Sequence, residues 1–387
     1  MIVFPRMTAM LMMPVLIAAL ACDAAPDEEE EISAGPWAAL VVTGDYQTGS
    51  YSVVDTVTLK SHNDVEIIHQ DSVCRYDPVT RLPYIIARMG SDAIDIVDPG
   101  DNWSIITEYS VGAGSNPQDI AVVSKDRAYV ALYEESSLLI VNPLNGSVTG
   151  DVDLSRYADD DGIPEVSWLS FRDGVLYALL QRLDREGGFK PSDYSLLLVL
   201  DADTGKVEKS LKLACTNPFA KLRYNEALQH FVIIESGVFS TAVDEAAVDG
   251  CIEFFDPGTN ALSGPVVMAD ELGGDIVDAV VSSETKAYAI IGKRSGSGSE
   301  THLVSFNPST GEKTGTIVAS EGWDYASIEL SHDGSQLWMA DRTMNSPSIR
   351  IFDTESDKET THGPIDVGLP PSMICFVNAA ADKSKNY

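Results

Sequence analysis

Basic residues are scarce in this chain. Its 387 residues include 26 Lys and Arg against 59 Asp and Glu, a formal charge of −33. Nucleic-acid binding needs Lys and Arg against the phosphate backbone, so nucleic acid is excluded as a partner, and anionic lipid is repelled on the same ground. Such a surface favours solubility, cations and basic partners, and adaptation to salty surroundings accounts for it equally well. Histidine is scarcer still. His62, His69, His230, His302, His332 and His362 are scattered, with no HExxH and no close pair to hold zinc. The chain also lacks a GxSxG nucleophile elbow, a P-loop, a dinucleotide fingerprint and a CxxCH haem attachment. No catalytic residue is assigned.

Long apolar runs are missing as well. Met7 to Ala21, behind the single cation Arg6, is too short for a membrane-spanning helix and reads as the core of a signal peptide over residues 1–21. It ends in Ala19-Leu20-Ala21-Cys22, which resembles the lipobox of bacterial lipoproteins, with Ala19 where Leu is usual. The resemblance implies cleavage before Cys22 and lipidation of that residue. The expected location is therefore the cell envelope, on its periplasmic or cell-surface face, with the lipid as the only membrane contact. Asp23 resembles an inner-membrane retention signal, and the leaflet stays open. Residues 22–36 carry the run Asp27 to Glu31 and read as a solvated tether.

Cysteine is sparse. Besides Cys22 there are Cys74, Cys215, Cys251 and Cys375, an even number that permits disulfides in an exported protein. Cys215 and Cys251 fall in one repeat unit and are the preferred bridge. Cys74 and Cys375 fall on inner strands of neighbouring units, spread around a channel, and are expected to stay reduced as small apolar filling.

What the chain does have is a repeated turn. Asp55, Asp98, Asn142, Asp201, Asp256, Asn307 and Asp353 each close a short apolar run, at spacings from 43 to 59 residues. The fullest copies are Asn142-Pro143-Leu144-Asn145-Gly146, Asp201-Ala202-Asp203-Thr204-Gly205 and Asn307-Pro308-Ser309-Thr310-Gly311. A period of this length with several strands per unit is the signature of a β-propeller. Pro117 to Leu154 shows the unit: inner strand Asp119–Val123, second strand Ala128–Tyr133, third strand Ser137–Val141, then an alternating, half-exposed outer strand. The first unit begins at Trp37 without an inner strand, and Ser372–Val377 has no unit after it. Joining them predicts an all-β, seven-bladed propeller over residues 37–378 with a split closing blade and a short tail, 379–387. Closure removes exposed sheet edges.

Insertions fall almost wholly in second-to-third and outer-to-inner connections, which share one face. The former include Gln181 to Ser192, Ser236 to Gly250, Lys293 to Glu300 and Arg342 to Ser346; the latter include Asn116 to Gln118, Tyr157 to Glu165 and Asn217. Aligned inner strands put Asp119, Ser167, Lys221, Asp278 and Ser327 at equivalent positions of the channel mouth, with Gln118 and Arg182 beside them as further candidate ligand contacts. Polar residues there also serve simply to solvate the channel. Asp159, Asp161 and Glu165 are a partial match to a calcium ligand set, which makes calcium the one candidate cofactor. Arg182 and Arg185 suit a carboxylate or phosphate, or local pairing with Asp184, Glu186 and the Asp159 to Asp161 cluster.

The turns and the Ala-Tyr-Val second strands resemble the YVTN-type propellers grouped with quinoprotein amine dehydrogenase-like domains. Asn116-Pro117-Gln118-Asp119, Asp161-Gly162-Ile163-Pro164-Glu165, Gln181-Arg182-Leu183-Asp184 and Thr216-Asn217-Pro218-Phe219 resemble, more narrowly, propeller lipoproteins of myxobacteria. The enzymatic relatives depend on quinone cofactors or partner subunits that nothing in this chain marks, and fold alone transfers no function. The expected role is a monomeric, envelope-anchored binding module for a protein, glycan or small ligand. A hydrolase of the propeller-lactonase kind, with mouth acids and Arg182 at work, is the alternative.

Overall fold

The computed structural model describes residues 31, 32, 34–238, 248–295 and 298–380. The signal segment, Cys22 and nearly all of the acidic run lie outside the described residues, as do 381–387. No helix among the described residues is long and apolar enough to cross a membrane.

Seven antiparallel sheets follow one another along the chain as the blades of a propeller. Blade 1 holds Ser72–Asp77, Leu82–Ala87, Ala93–Asp98 and Ser104–Ser110. Blade 2 holds Pro117–Ser124, Arg127–Leu132, Ser137–Val141 and Val148–Asp153. Blades 3 to 6 begin with the inner strands Val166–Arg172, Arg223–Asn225, Asp275–Ser283 and Tyr325–Leu330. Blade 7 is split: the C-terminal strand Pro371–Asn378 pairs antiparallel with Trp37–Gly44, which continues to Gly49–Asp55 and Ser61–Ile68. Blade 6 has three strands, and only isolated bridges, Phe352 to Glu359 and Ile349 to Ile365, stand where its outer strand would be.

The seven turn residues sit at or just after the ends of the seven third strands, and the reason is local. Each side-chain oxygen accepts backbone N–H groups two or three residues on, as Asp55 does from Val57 and Thr58, Asn142 from Leu144, and Asp201 from Thr204. That is the Asx-turn, and it reverses the chain into the outer strand. Second strands are wholly or almost wholly buried between blades, which is why they read as unbroken apolar runs such as Leu176 to Leu180.

Two sequence expectations change here. The two arms of Lys293 to Glu300 continue the blade 5 ladder, pairing Lys293 with Glu300 and Arg294 with Ser299, where an open loop was expected; residues 296 and 297 lie outside the described residues. Cys74 and Cys375, expected to stay reduced, are joined in a disulfide with Cα atoms 6.2 Å apart. Inner strands converge on the channel axis, so those of blades 1 and 7 run close enough to be bridged; the spread anticipated between neighbouring blades belongs to their outer edges. Cys215 and Cys251 are also bridged, at 6.1 Å. Ile32 and Ala34, inside the segment read as tether, pack against the core of blades 7 and 1.

Candidate functional site

At the long-loop face the inner strands open into a cavity of about 1090 Å³. A repeated irregularity builds its wall. Inner strands of blades 2, 3, 5, 6 and 7 each carry a one-residue bulge near their start, at Gln118, Ser167, Val277, Ala326 and Ser372. All five bulged residues line the cavity. A bulge turns one side chain out of the pleat alternation, so the cavity wall draws on two adjacent rings, and of the five positions that plain alignment picks all but Asp119 line it. Ser167 belongs with Gln118, while Asp119, Trp168, Asp278 and Ser327 form the next ring. Lys221, ahead of the short inner strand of blade 4, also lines the cavity, as do Asp278 and Ser327.

The two aspartates are engaged in a device that occurs twice. Asp119 Oδ1 accepts from Arg75 Nε (2.9 Å) and from the N–H of Ile120 (2.9 Å); its Oδ2 accepts from Arg75 Nη2 and from the N–H of Leu169 (2.9 Å). Arg75 also donates to the carbonyl of Leu169 (2.7 Å). Half a turn round the ring, Asp278 Oδ1 accepts from Arg223 Nη1 (2.7 Å) and Ala279 N (3.0 Å), and its Oδ2 from Arg223 Nη2 (3.1 Å) and Ile328 N (3.0 Å), while Arg223 reaches the Ile328 carbonyl (3.1 Å). Each set ties three consecutive inner strands together: blades 1, 2 and 3, then blades 4, 5 and 6. Lys221 Nζ lies 3.4 Å from Glu329 of blade 6, across the channel. Burial pushes the Lys221 ammonium down, while Lys221 and Arg223 hold Glu329 below the ordinary carboxylate range against its own burial.

Connections supply the rim. Asn116 and Asn217, each before a proline, adopt left-handed backbone (φ 49° and 59°) that Asn tolerates. Asn116 Oδ1 accepts from Met89 N (3.2 Å) and Gln118 Nε2 (2.9 Å). Asn217 Oδ1 accepts from Gln181 Nε2 (2.8 Å), and its amide donates to the Gly237 carbonyl (2.9 Å). Gln181 Oε1, buried in the wall, has no partner among the described residues. Tyr46, Met89, Phe219 and Trp323 stand on the rim with large apolar side chains exposed. Tyr46 and Met89 hold left-handed backbone (φ 69° and 37°), a strained state for such residues that clusters at ligand sites. Gly292 makes room for Trp323: a Cβ there would lie 2.4 Å from the indole ring.

Arg182 is not among the residues of the cavity wall. It donates to the carbonyls of Tyr194 (2.8 Å) and Ala158 (3.2 Å) and lies over the Tyr194 ring at 3.9 Å, so it fastens the blade 3 loop. Its neighbour Arg185 gathers the acidic loop. Arg185 donates to Glu165 (2.7 Å) and Glu134 and lies 3.7 Å from Asp161. Asp159 accepts from Ser192, and Asp161 from Ile163 N (2.8 Å). The carboxylates named as calcium ligands thus face a guanidinium and backbone N–H groups. Glu165 also accepts from Leu183 N (2.9 Å), and burial pushes its carboxyl up to about 7.

Sequence reading missed a buried carboxyl pair in blade 4. Glu235 and Glu253 sit on adjacent strands beside the Cys215–Cys251 disulfide. Among the described residues, Cys215, Glu235 and Cys251 have ligand-type atoms within 4.8 Å of one another, but both sulfurs are spent in the bridge. Burial, then the neighbouring carboxylate, raises Glu235 well above its ordinary value, and burial raises Glu253. With two buried carboxyls so close, the pair is expected to hold one proton between them near neutral pH. A raised carboxyl stabilises the fold fully below the unfolded-chain value, about 4.3, and loses that contribution as pH rises through the folded value. The wild-type melting temperature should therefore fall as pH rises above the ordinary carboxylate range, and Glu235→Gln, whose amide keeps a donor toward Glu253, should flatten that slope. Parallel slopes in a pH series of thermal melts would refute the shared proton.

No protein-family model and no curated protein sequence matches the chain. Solved structures match in fold. A putative 6-phosphogluconolactonase from Bacteroides fragilis superposes with a TM-score of 0.60 at 14% identity, covering 88% of this chain and 98% of that one. Dihydro-heme d1 dehydrogenase NirN, in complex with DHE, gives 0.57 at 16%, covering 90% and 76%. Apo AztD from Citrobacter koseri gives 0.51 at 13%, covering 88% and 98%. At these identities the likeness is one of fold, and this chain is a seven-bladed propeller whose neighbours have diverse descriptions.

Proposed function

We propose that this protein is a binding module of the cell envelope, anchored by lipid at Cys22, which takes a small ligand in the cavity at the long-loop mouth. One observation carries the reading: a cavity of about 1090 Å³ framed by exposed aromatic and Met side chains, with the orphaned Gln181 Oε1 in its wall. Ligand sites are concave and mostly apolar with a few placed polar groups. The backbone strain at Tyr46 and Met89 fits the same use.

The hydrolase reading draws on the fold shared with the putative lactonases. It is the weaker one, because Asp119 and Asp278, the mouth acids it would use, have both carboxylate oxygens committed to arginine and backbone donors. A water-activating base needs an oxygen within reach of the water.

The test is a fluorescence titration of the mature domain with N-phenyl-1-naphthylamine, a neutral aromatic probe. Saturable binding of one probe per chain is expected, weakened several-fold by Gly292→Ala, which displaces the Trp323 ring. Linear, unsaturable emission, or indifference to Gly292→Ala, would count against a site at the mouth. Turnover of a sugar δ-lactone by the same preparation would instead favour hydrolysis.

A further inference from the structure

The sign of charge reverses at the cavity. The whole chain has 59 acidic and 26 basic residues, yet the wall carries four cations, Arg88, Lys221, Arg223 and Arg342, against two carboxylates, Asp71 and Asp278. Two of the cations are answered: Arg88 by Asp71 and Arg223 by Asp278. The other two are not answered in the same way. Arg342 donates only to carbonyls, those of Pro370 (3.2 Å), Pro371 (3.3 Å) and Gly44 (2.9 Å), and lies over the Tyr46 ring at 4.9 Å. No carboxylate pairs with it among the described residues. Lys221 has one long contact, 3.4 Å to a Glu329 that Arg223 also claims at 3.4 Å.

Resting on the reading of the mouth as a binding site, we propose that its ligand is an anionic amphiphile: an aromatic or fused-ring body bearing a carboxylate, sulfonate or phosphate group. The body lies against the rim set by Tyr46, Phe219 and Trp323, and the anion meets Arg342 and Lys221. A guanidinium held by three carbonyls and a ring is oriented in advance, so little side-chain entropy is lost when it takes an anion. The same charge placement opposes cationic ligands, although the overall charge of the protein would attract them from solution. Burial disfavours the charged form of Lys221, and an incoming anion offsets that penalty. The selectivity thus comes from the wall and runs against the net charge.

The test uses two probes that differ by one group. 8-Anilinonaphthalene-1-sulfonate is N-phenyl-1-naphthylamine with a sulfonate added. Charge-assisted hydrogen bonds are the stronger class, and the sulfonate is expected to bind at least ~10-fold tighter, at one per chain. Arg342→Gln should weaken the sulfonate far more than the neutral probe and so shrink that advantage, and Arg342→Lys should restore part of it. Should Arg342→Gln lower the melting temperature, Lys221→Met reads the same difference from the other cation. Equal affinity for the two probes, or an advantage that survives both Arg342→Gln and Lys221→Met, overturns the anion assignment and leaves the mouth as a site. Failure of both probes to saturate removes the mouth reading itself.

Discussion

Replacing Cys74 and Cys375 together by alanine is expected to cost about 3–5 kcal/mol of stability. The bridge spans 301 residues of sequence, whereas Cys215–Cys251 spans 36. In the chain-entropy account, a cross-link removes more freedom from the unfolded state when it closes a longer loop. Cys74 lies on the first complete blade and Cys375 on the last strand, so this bridge fastens the ring where the two ends of the chain meet. Both side chains are buried, and alanine leaves little empty volume, so cavity effects add only a small share. Denaturant unfolding of the double variant, beside the Cys215→Ala/Cys251→Ala variant, measures the difference. The ring-closing bridge should cost more by about 1–2 kcal/mol. An equal or smaller loss would show that the backbone ladder between Trp37–Gly44 and Pro371–Asn378 secures closure without the bridge.

Asp119→Asn is the second large expectation, at about 3–5 kcal/mol, with Asp278→Asn close to it. Asp119 is 1% exposed and accepts four hydrogen bonds. Asparagine keeps the shape but turns a donor amide toward an N–H group, and it leaves the half-buried Arg75 guanidinium without its counter-charge. Breaking one half of such a pair costs far more than the pair contributes. A double-mutant cycle with Arg75→Met separates the two effects: Arg75→Met/Asp119→Asn should recover 1 kcal/mol or more of the loss that additivity predicts, on the order of measured neighbour couplings. The hydrolase reading makes the opposite claim, that turnover falls while stability holds. Unfolding curves of Asp119→Asn that overlay the wild type would remove the three-blade tie described above.

Much of the fold was legible because its signals are local. An Asx-turn needs one side chain and the next three residues, so Asp55, Asp201 and Asp353 announce the ends of third strands without reference to anything distant. Apolar runs such as Leu176 to Leu180 declare strands buried on both faces. The elaborated face was legible too, since insertions show directly as longer spacings between turns. The mouth was legible only in part. A bulge depends on the pairing of two strands, and it moved Ser167 into the ring of Gln118 and away from that of Asp119.

Seven units, their strand order and the split closing blade were thus determined by the sequence alone, through short-range turn chemistry and a regular period. Tertiary structure decided the rest. It joined Cys74 to Cys375 because inner strands converge on one axis. It spent Asp119 and Asp278 on arginines from neighbouring blades, and it drew Arg185 onto Glu165 and Glu134 in place of Arg182. It collected scattered cations around one cavity in an acidic protein. Each of these depends on which residues from different blades meet at the axis. Distances across a ring are set by its closure, and no spacing along the chain encodes them.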